Sequence, residues 1–305
     1  MKIPVLLTIF NRHDTALEAL KSIREYQPER IYIAADGPRM HKAGENEACA
    51  ATRQAVLDAI DWPCQVQTLF REENLGCARA MYGAISWFLE QEEWGIICED
   101  DIVLSLDFFK MCEELLPKYK DDDCIMQITS QFYGPHCEVT DTYTFERRPF
   151  IWGWATWRRS WFKYMDMTMA GWPKFNPLKM LPVYGWFQML MTWHYFHNVY
   201  KNLNTNSSWA YRWHFAADFN ELLCICPKTN LGLNVGIMNG GGTHYTDMEK
   251  DPYAHLKIGK LQFPLQHPTD IRLDKHQLSI DNAEFWRIRM IGARKKIKRM
   301  ISKLF

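Results

Sequence analysis

Two hydrophobic rhythms alternate over the first 130 residues of the chain. Strand-like runs (IPVLLTIF, RIYIAAD, CQVQTLF, WGIIC and CIMQIT) alternate with stretches whose apolar residues recur every three to four positions. IPVLLTIF, short and continuously apolar, has the pattern of a buried parallel strand. Between the first two, TALEALKSIREY carries Ala16, Leu20 and Ile23 at helical spacing. Further helices are predicted over about 46–60, over LGCARAMYGAISWFLEQ after an Asn74 cap, and over SLDFFKMCEELLPKYK after a Ser105 cap. Four β-α repeats in succession predict an α/β fold, a doubly wound and mainly parallel sheet with helices on both faces.

Beyond residue 130 the rhythm loosens. Trp152, Trp154, Trp157, Trp161, Trp172, Trp186, Trp193, Trp209 and Trp213 crowd one region between proline-marked turns. A helix is predicted over 184–201, LLCICP reads as one more strand, and the glycines at 240–242 mark a tight or flexible loop. Two roles stand open for the tryptophans. They form a core in which each indole N–H finds a partner, or some present flat faces to sugars.

Composition narrows the class. With 305 residues, 47% of them hydrophobic, the chain buries a sizeable core and is neither disordered nor collagenous. Nine cysteines, an odd number without a C-x-x-C pair, read as buried free thiols of a cytosolic protein. PVLLTIF is too short for a signal peptide, and no stretch of eighteen apolar residues spans a membrane. The expected location is therefore cytoplasmic. Net neutrality hides an asymmetry: residues 287–305 hold eight Lys/Arg and no acid, which leaves 36 acids against 28 bases in the rest.

In a doubly wound sheet, ligands bind beyond the C-terminal strand ends. The first strand delivers Thr8, Phe10, Asn11 and Arg12 there; the second delivers Asp36; the third delivers Arg71 and Glu72; the fourth delivers Glu99, Asp100 and Asp101. Three consecutive carboxylates repel one another unless a cation neutralises them, and hard oxygen ligands suit Mg2+ or Mn2+. No G-x-G-x-x-G follows the first strand, no G-x-x-x-x-G-K-[ST] occurs, and no G-x-S-x-G elbow occurs. A Rossmann dehydrogenase, a P-loop NTPase and an α/β-hydrolase are thereby disfavoured. The remaining way to hold a diphosphate is through a metal ion.

The stretch NLGCARAMYGAISWFLEQEEWGIICEDDIVLSLDFF resembles the central segment of GT-A glycosyltransferases, and in particular the N-acetylglucosaminyltransferase I type. PVLLTIFNR resembles the nucleotide-binding first strand of that fold. WGWATWRRSW and SSWAYRW, with LCICPKTNLGLNVG and GGTHYT, resemble a bacterial branch acting in surface-polysaccharide assembly. The resemblance, over about residues 3–247, implies a GT-A domain spanning 1–280, with a nucleotide-binding half (1–130) and an aromatic-rich, acceptor-side half (131–280). It implies that Asp101 ligates the metal, Asp100 meets the ribose or a metal-bound water, and Glu99 faces the donor sugar. Asp36 would bind the base beside Arg12, and Arg79 would line the nucleotide pocket. Gly153 and Trp154 would belong to a loop closing over the donor, and His244 would reach back to the metal or diphosphate. A histidine just after three glycines can also swing toward a metal on its own account. Two positions depart from the pattern. Ala80 stands where the N-acetylglucosaminyltransferase I type carries histidine, and Ala210 stands where the bacterial branch carries the aspartate that serves as catalytic base. An engineered inactive variant, a base moved to Asp218 or Glu221, and a lineage that lost activity are the explanations.

Residues 285–305 place Phe285, Ile288, Ile291, Ile297, Met300, Ile301, Leu304 and Phe305 near one side of a helix, with Lys/Arg around the rest. A basic amphipathic helix of this kind lies on an anionic membrane, which is a better fit than a nucleic-acid partner. Together these readings lead to a metal-dependent, inverting glycosyltransferase on the inner face of the cell membrane. It would move a sugar from a UDP-linked donor to a lipid-linked saccharide acceptor. The alternatives are a disabled sugar- or nucleotide-binding protein of the same fold, and a nucleotidyltransferase making nucleotide sugars. The latter calls for a glycine-rich loop with arginine after the first strand, where FNRHD stands instead.

Overall fold

The computed structural model describes residues 2–133, 141–205, 208–238, 256–280, 282–284 and 286–287. The first half follows the predicted alternation. It runs β1 (Val5–Ile9), α1 (His13–Tyr26), β2 (Arg30–Ala35), α2 (Glu45–Asp58), β3 (Gln65–Phe70), α3 (Cys77–Gln91), β4 (Trp94–Glu99), β5 (Ile102–Leu104), α4 (Leu106–Lys118) and β6 (Ile125–Thr129). The second half adds β7 (Tyr143–Glu146), β8 (Trp154–Trp157), α5 (Arg158–Tyr164), α6 (Leu181–Lys201), α7 (Ala210–Phe219), β9 (Leu223–Pro227), β10 (Gly232–Asn234) and the short α8 (Val235–Met238).

Eight strands form one sheet in the order β3-β2-β1-β4-β8-β6-β9-β7, and β5 pairs with β10 in a separate antiparallel ribbon. Strands β1, β2, β3 and β4 pair in parallel, β6 pairs in parallel with β9, and β7 and β8 run against their neighbours. The fold is mixed α/β with a mostly parallel central sheet, as the alternation of strands and helices predicted. Both halves of the chain contribute strands to that sheet.

Strand side chains alternate between faces, so each strand feeds two cores. Val5, Leu7, Ile9, Ile31, Ile33, Ile96 and Cys98 pack with Ala16, Leu20 and Ile23 of α1 and with Phe108, Phe109 and Leu115 of α4. Leu6, Tyr32, Ala34 and Ile97 face the other way, against Ala84, Ile85, Phe88 and Leu89 of α3. Each such aliphatic or aromatic side chain, fully buried, contributes roughly 1.5–3 kcal/mol, which is why the continuous runs settle as interior strands.

Four of the tryptophans belong to that second core, and Trp157 belongs to the first. Trp154, Trp161, Trp209 and Trp213 are packed with ring centroids 5.2–6.4 Å apart. Trp213 Nε1 donates to Gln127 Oε1 at 2.7 Å, Trp161 Nε1 to Ser86 Oγ at 2.9 Å, and Trp157 Nε1 to the Leu116 carbonyl at 2.9 Å. Buried rings offer no face to a sugar, so for these residues the core role replaces the platform role. Trp186, by contrast, is 64% exposed.

Two local expectations are corrected. Ser105 caps α4, accepting from the Asp107 N–H at 3.2 Å, but Asn74 does not cap α3, which begins after Gly76. Gly153 does not sit in an open loop. It is buried with φ +73°, and a Cβ there would stand 2.3 Å from Leu104 Cδ2 of β5. Among the described residues no helix is long and apolar enough to cross a membrane. Of the basic tail, only residues 286–287 fall among the described residues, and its predicted helix lies outside them.

Gly153→Ala combines left-handed backbone strain with a clash against β5, the strand that follows the acidic turn. Urea unfolding should record a loss of roughly 2–4 kcal/mol.

Candidate active site

The C-terminal ends of β1, β2, β3 and β4 converge, and the first turns of α3 close one wall. They enclose a cavity of about 500 Å³. Thr8, Phe10, Asn11, Arg12, Asp36, Arg71, Glu99 and Asp100 all line it, so eight of the residues predicted from strand ends meet in one place. The register explains the meeting: Thr8 of β1 lies opposite Ala34 of β2 and Glu99 of β4, so the segments that follow leave the sheet side by side.

Arg12 is the electrostatic centre. Its Nη2 lies 2.5 Å from Asp100 Oδ1 and 3.0 Å from Asp101 Oδ2, and so joins the two acids of the β4–β5 turn. Burial, with Asp101 and Asp100 alongside, pushes the Glu99 carboxyl up to about 8, and Arg12 only partly opposes this. Burial likewise lifts Asp100 to about 6, against the pull of Arg12 and of a hydrogen bond from the Phe10 backbone. Asp100 Oδ2 is buried without a hydrogen-bond partner. The backbone beyond β10 covers this turn. The Val235 N–H donates to the Asp101 carbonyl at 2.8 Å, and a Cβ on Gly236 would stand 2.6 Å from Asp101 Oδ2.

These observations bear on a metal. Three carboxyl groups face one guanidinium, so acid at the cavity wall is left uncompensated, and the donors are hard oxygens with one of them orphaned. That donor set fits a small divalent cation in charge and in chemical type. Among the described residues no cluster of three His, Cys, Asp or Glu is already arranged as a metal cage. His244, the other expected ligand, lies outside the described residues.

Asp36 has a different duty from the expected one. Its Oδ1 accepts from the N–H groups of Gly37 and Leu75, both at 3.0 Å. Its Oδ2 accepts from the Gly76 N–H at 3.0 Å and the Asn74 amide at 3.1 Å. Four donors fill the carboxylate and leave nothing for a base N–H, so Asp36 holds the 74–76 segment at the start of α3. Asn74, expected as a cap, is one of those donors. Gly37 is required by the same approach, because a Cβ there would stand 2.4 Å from the Glu73 backbone.

Sequence reasoning missed Arg39, Lys42 and Glu45, which form the outer wall with Asn11. Glu45 accepts from Arg39 and from the Asn11 amide, and Arg39 holds its carboxyl down to about 2. It also missed Gly76, Met81 and Ala84, which line the cavity beside Ala80 at the start of α3. The spacing of these positions is visible in the sequence, and so is the proximity of Arg39 to a strand end. Ala80, which replaces a histidine of the resembled family, is therefore a wall residue. The Arg71 guanidinium makes no hydrogen bond or ion pair with another described residue, and burial lowers its pKa while Asp36 opposes the shift.

Four predicted residues stand elsewhere. Arg79 is exposed on α3 and does not line the cavity. Gly153, in the bend before β8, is buried against β5, and Trp154, the first residue of the interior strand β8, is buried in the tryptophan core. Ala210 opens α7, half-buried against the same core. Neither acid considered as its substitute is free. Asp218 is 2% exposed, hydrogen-bonded by the Tyr184 hydroxyl at 3.1 Å, and pushed by burial up to about 7. Glu221 is paired with Lys179 at 2.7 Å.

No family model and no characterised protein matches the chain by sequence. Among solved structures it is similar to the mannosyltransferase PcManGT from Pyrobaculum calidifontis in complex with GDP-Man and Mn2+, with 15% identity and a TM-score of 0.35. That match covers 52% of this chain and 45% of the mannosyltransferase, less than half its length. HddC from Yersinia pseudotuberculosis matches at 13% identity over 58% of this chain and 87% of its own, TM-score 0.34. A mannose-1-phosphate geranyltransferase from Thermus thermophilus matches at 12% identity over 77% of each chain, TM-score 0.35. Likenesses this distant leave the activity to be argued from the cavity itself.

Asp36→Ala strips four donors of their acceptor. Chemical unfolding should register a loss of about 2–3 kcal/mol, with faster hydrogen exchange at 74–76. Asp36→Asn should lose roughly half as much, because only the bonds to Oδ2 are spoiled.

The raised Glu99 and Asp100 carboxyls give a pH dependence of definite sign. Between the ordinary carboxylate range and about pH 8 the unfolded chain has released protons that the folded chain keeps. The metal-free protein must therefore lose stability as pH rises through that window. Thermal scans in EDTA from acid to mildly alkaline pH should show the fall, and Glu99→Gln should flatten its upper part.

Proposed function

We propose that this chain binds a nucleotide sugar in the β1–β4 cavity and, with Mn2+ or Mg2+, transfers the glycosyl group to a saccharide carried on a lipid. The observation that carries this reading is the acidic turn after β4, set against Arg12 in a cavity with no glycine-rich phosphate loop. A diphosphate brought to that wall meets carboxylates of its own sign, and a cation between them removes the conflict. Asp101 and Asp100 would hold the cation in competition with Arg12, and the resemblance adds His244. When bound, the cation neutralises the charge that builds up on the departing diphosphate.

The chain's own side chains supply the remaining functions. Arg71 offers an uncommitted guanidinium inside the cavity, suited to a phosphate or a base carbonyl. Ala80, Met81 and Ala84 give the flat base a smooth wall on α3. Glu99, whose carboxyl is raised, keeps its proton near neutral pH and donates a hydrogen bond to the donor sugar rather than accepting a proton from the acceptor. Uridine is the base expected from the resemblance, and Asp36 acts on it only by shaping the 74–76 wall. The basic tail supports a peripheral position on the cytoplasmic face of the membrane, where a lipid-linked acceptor would lie.

An inverting transfer also needs a base for the acceptor hydroxyl, and Ala210 has none to give. With Asp218 buried in a bond to Tyr184 and Glu221 tied to Lys179, a chain that binds donor but turns over slowly is the second reading. Nucleotidyl transfer calls for a glycine-rich loop with arginine after β1, where FNRHD stands instead.

Calorimetry should give UDP at least roughly tenfold tighter binding in Mn2+ than in EDTA, a difference that Asp101→Ala abolishes. Equal affinity in the two buffers overturns the metal reading. With a UDP-sugar panel and a lipid-linked acceptor, mass spectrometry should find Ala210→Asp raising turnover by roughly 10²–10⁴ at unchanged UDP affinity. A fast parent enzyme that gains nothing from the substitution places the base elsewhere.

A further inference from the structure

The central sheet ends differently at its two sides. At β7 the chain covers its own edge: the Asp274 N–H donates to the Phe145 carbonyl and the Thr142 N–H to the Gln266 carbonyl, both at 2.9 Å. All four residues of β7 are buried. At the other side, among the described residues, β3 pairs with β2 alone. Gln65, Val66 and Thr68 are exposed there.

The register fixes which peptide groups of β3 are spare. The Gln65 N–H donates to the Glu29 carbonyl at 2.8 Å, and the Arg71 N–H donates to the Ala35 carbonyl at 3.0 Å. Along a strand of a parallel ladder the peptide groups alternate sides from one residue to the next. Residues 65, 67, 69 and 71 therefore face β2, while the N–H and C=O groups of Val66, Thr68 and Phe70 point away from the sheet, where no described strand meets them. Folded proteins protect such an edge with charge, proline or a bulge. QVQTLF has no charged residue and no proline, and it pairs with β2 without a register shift.

We propose that β3 is a dimer edge, at which a second copy of this chain adds its own β3 antiparallel across a two-fold axis through Thr68. That register engages all three outward-facing residues. Thr68 meets its own copy, and Val66 meets Phe70 in both directions, for about six hydrogen bonds between the chains. The side chains agree with the backbone, because Thr–Thr and β-branched–aromatic combinations are favourable cross-strand pairs. Charge agrees as well. Beyond the strand ends, Arg71 falls opposite Gln65, Glu72 opposite Cys64 and Glu73 opposite Pro63, so no like charges meet. An unrelated extended peptide would share the hydrogen bonds but not this matching of side chains. A joint of one short strand on each side forms a weak, exchanging dimer. The proposal is independent of what the β1–β4 cavity binds.

Sedimentation velocity on the full chain from about 1 to about 300 µM should show a mass that rises from monomer toward dimer. Thr68→Lys and Thr68→Glu each set like charges face to face at the axis, and each should weaken dimerisation by roughly tenfold or more. Their melting temperatures at low concentration should match that of the parent, because Thr68 is exposed. An equimolar mixture of the two variants should dimerise again, since a cation then faces an anion. Hydrogen exchange gives a second readout: the amides of Val66, Thr68 and Phe70 should gain protection as concentration rises, while those of Gln67 and Leu69 are protected throughout. A parent that stays monomeric to the highest concentration overturns the proposal, as does a dimer that neither charge disturbs. A mixture that fails to recover overturns it too. Protection of the three outward amides at every concentration overturns it in favour of an edge covered by the chain's own residues.

Discussion

The Arg12 guanidinium between Asp100 and Asp101 is the contact on which the candidate site depends. Three acids in a row at the end of a buried strand are an unfavourable local choice, since each raises the cost of charging the next. Parallel pairing of β1 with β4 brings the residues beyond Thr8 alongside Glu99, and so delivers one arginine to the turn that needs it. One cation for three acids is incomplete compensation. The shortfall is visible in the raised Glu99 and Asp100 carboxyls and in the orphaned Asp100 oxygen. A cation at this cavity wall, as proposed, would relieve that shortfall.

The rest of the cavity uses the opposite strategy. Asp36 and Glu45 are fully engaged carboxylates, one filled by backbone N–H groups and an amide, the other held by Arg39, Lys42 and Asn11. They stiffen the two loops that flank the opening, and neither presses for a ligand. The same cleft therefore holds acids that maintain shape and acids that wait for a partner, and hydrogen-bond saturation separates the two kinds. Arg71, by contrast, is a cation in this wall whose guanidinium has no described partner, and it complements the uncompensated acids at the other side.

The second half of the chain is organised by burial. Trp154, Trp161, Trp209 and Trp213 pack on one face of the sheet and Trp157 on the other, with Trp213, Trp161 and Trp157 donating to Gln127, Ser86 and the Leu116 carbonyl. Once β8 is an interior strand, Gly153 and Trp154 are committed to packing, and a donor-covering role for that segment is lost. Exposed aromatic side chains of this half include Trp186 and Phe187 on α6, which follow the Gly185 kink.

Much of the fold was legible in the sequence because period and run length respond to burial alone. Continuous runs such as IPVLLTIF and WGIIC can be satisfied only inside a parallel sheet, and the helical spacing between them sets the alternation. The strand-end rule then named eight cavity residues without any knowledge of their partners. Other features were settled by tertiary packing, because they depend on which distant atoms arrive at hydrogen-bond distance. Whether Asp36 reads a base or braces a loop turns on four donors from residues 37 and 74–76. Whether Trp154 meets a sugar or a core turns on where β8 enters the sheet. Whether Asp218 can stand in for the carboxylate missing at Ala210 turns on Tyr184, thirty-four residues away in the chain. The sequence by itself determined the alternation of strands and helices, the acidic turn and the basic tail. Only the tertiary structure decided which charged groups are already satisfied, because satisfaction is a property of contacts between segments and not of any one segment.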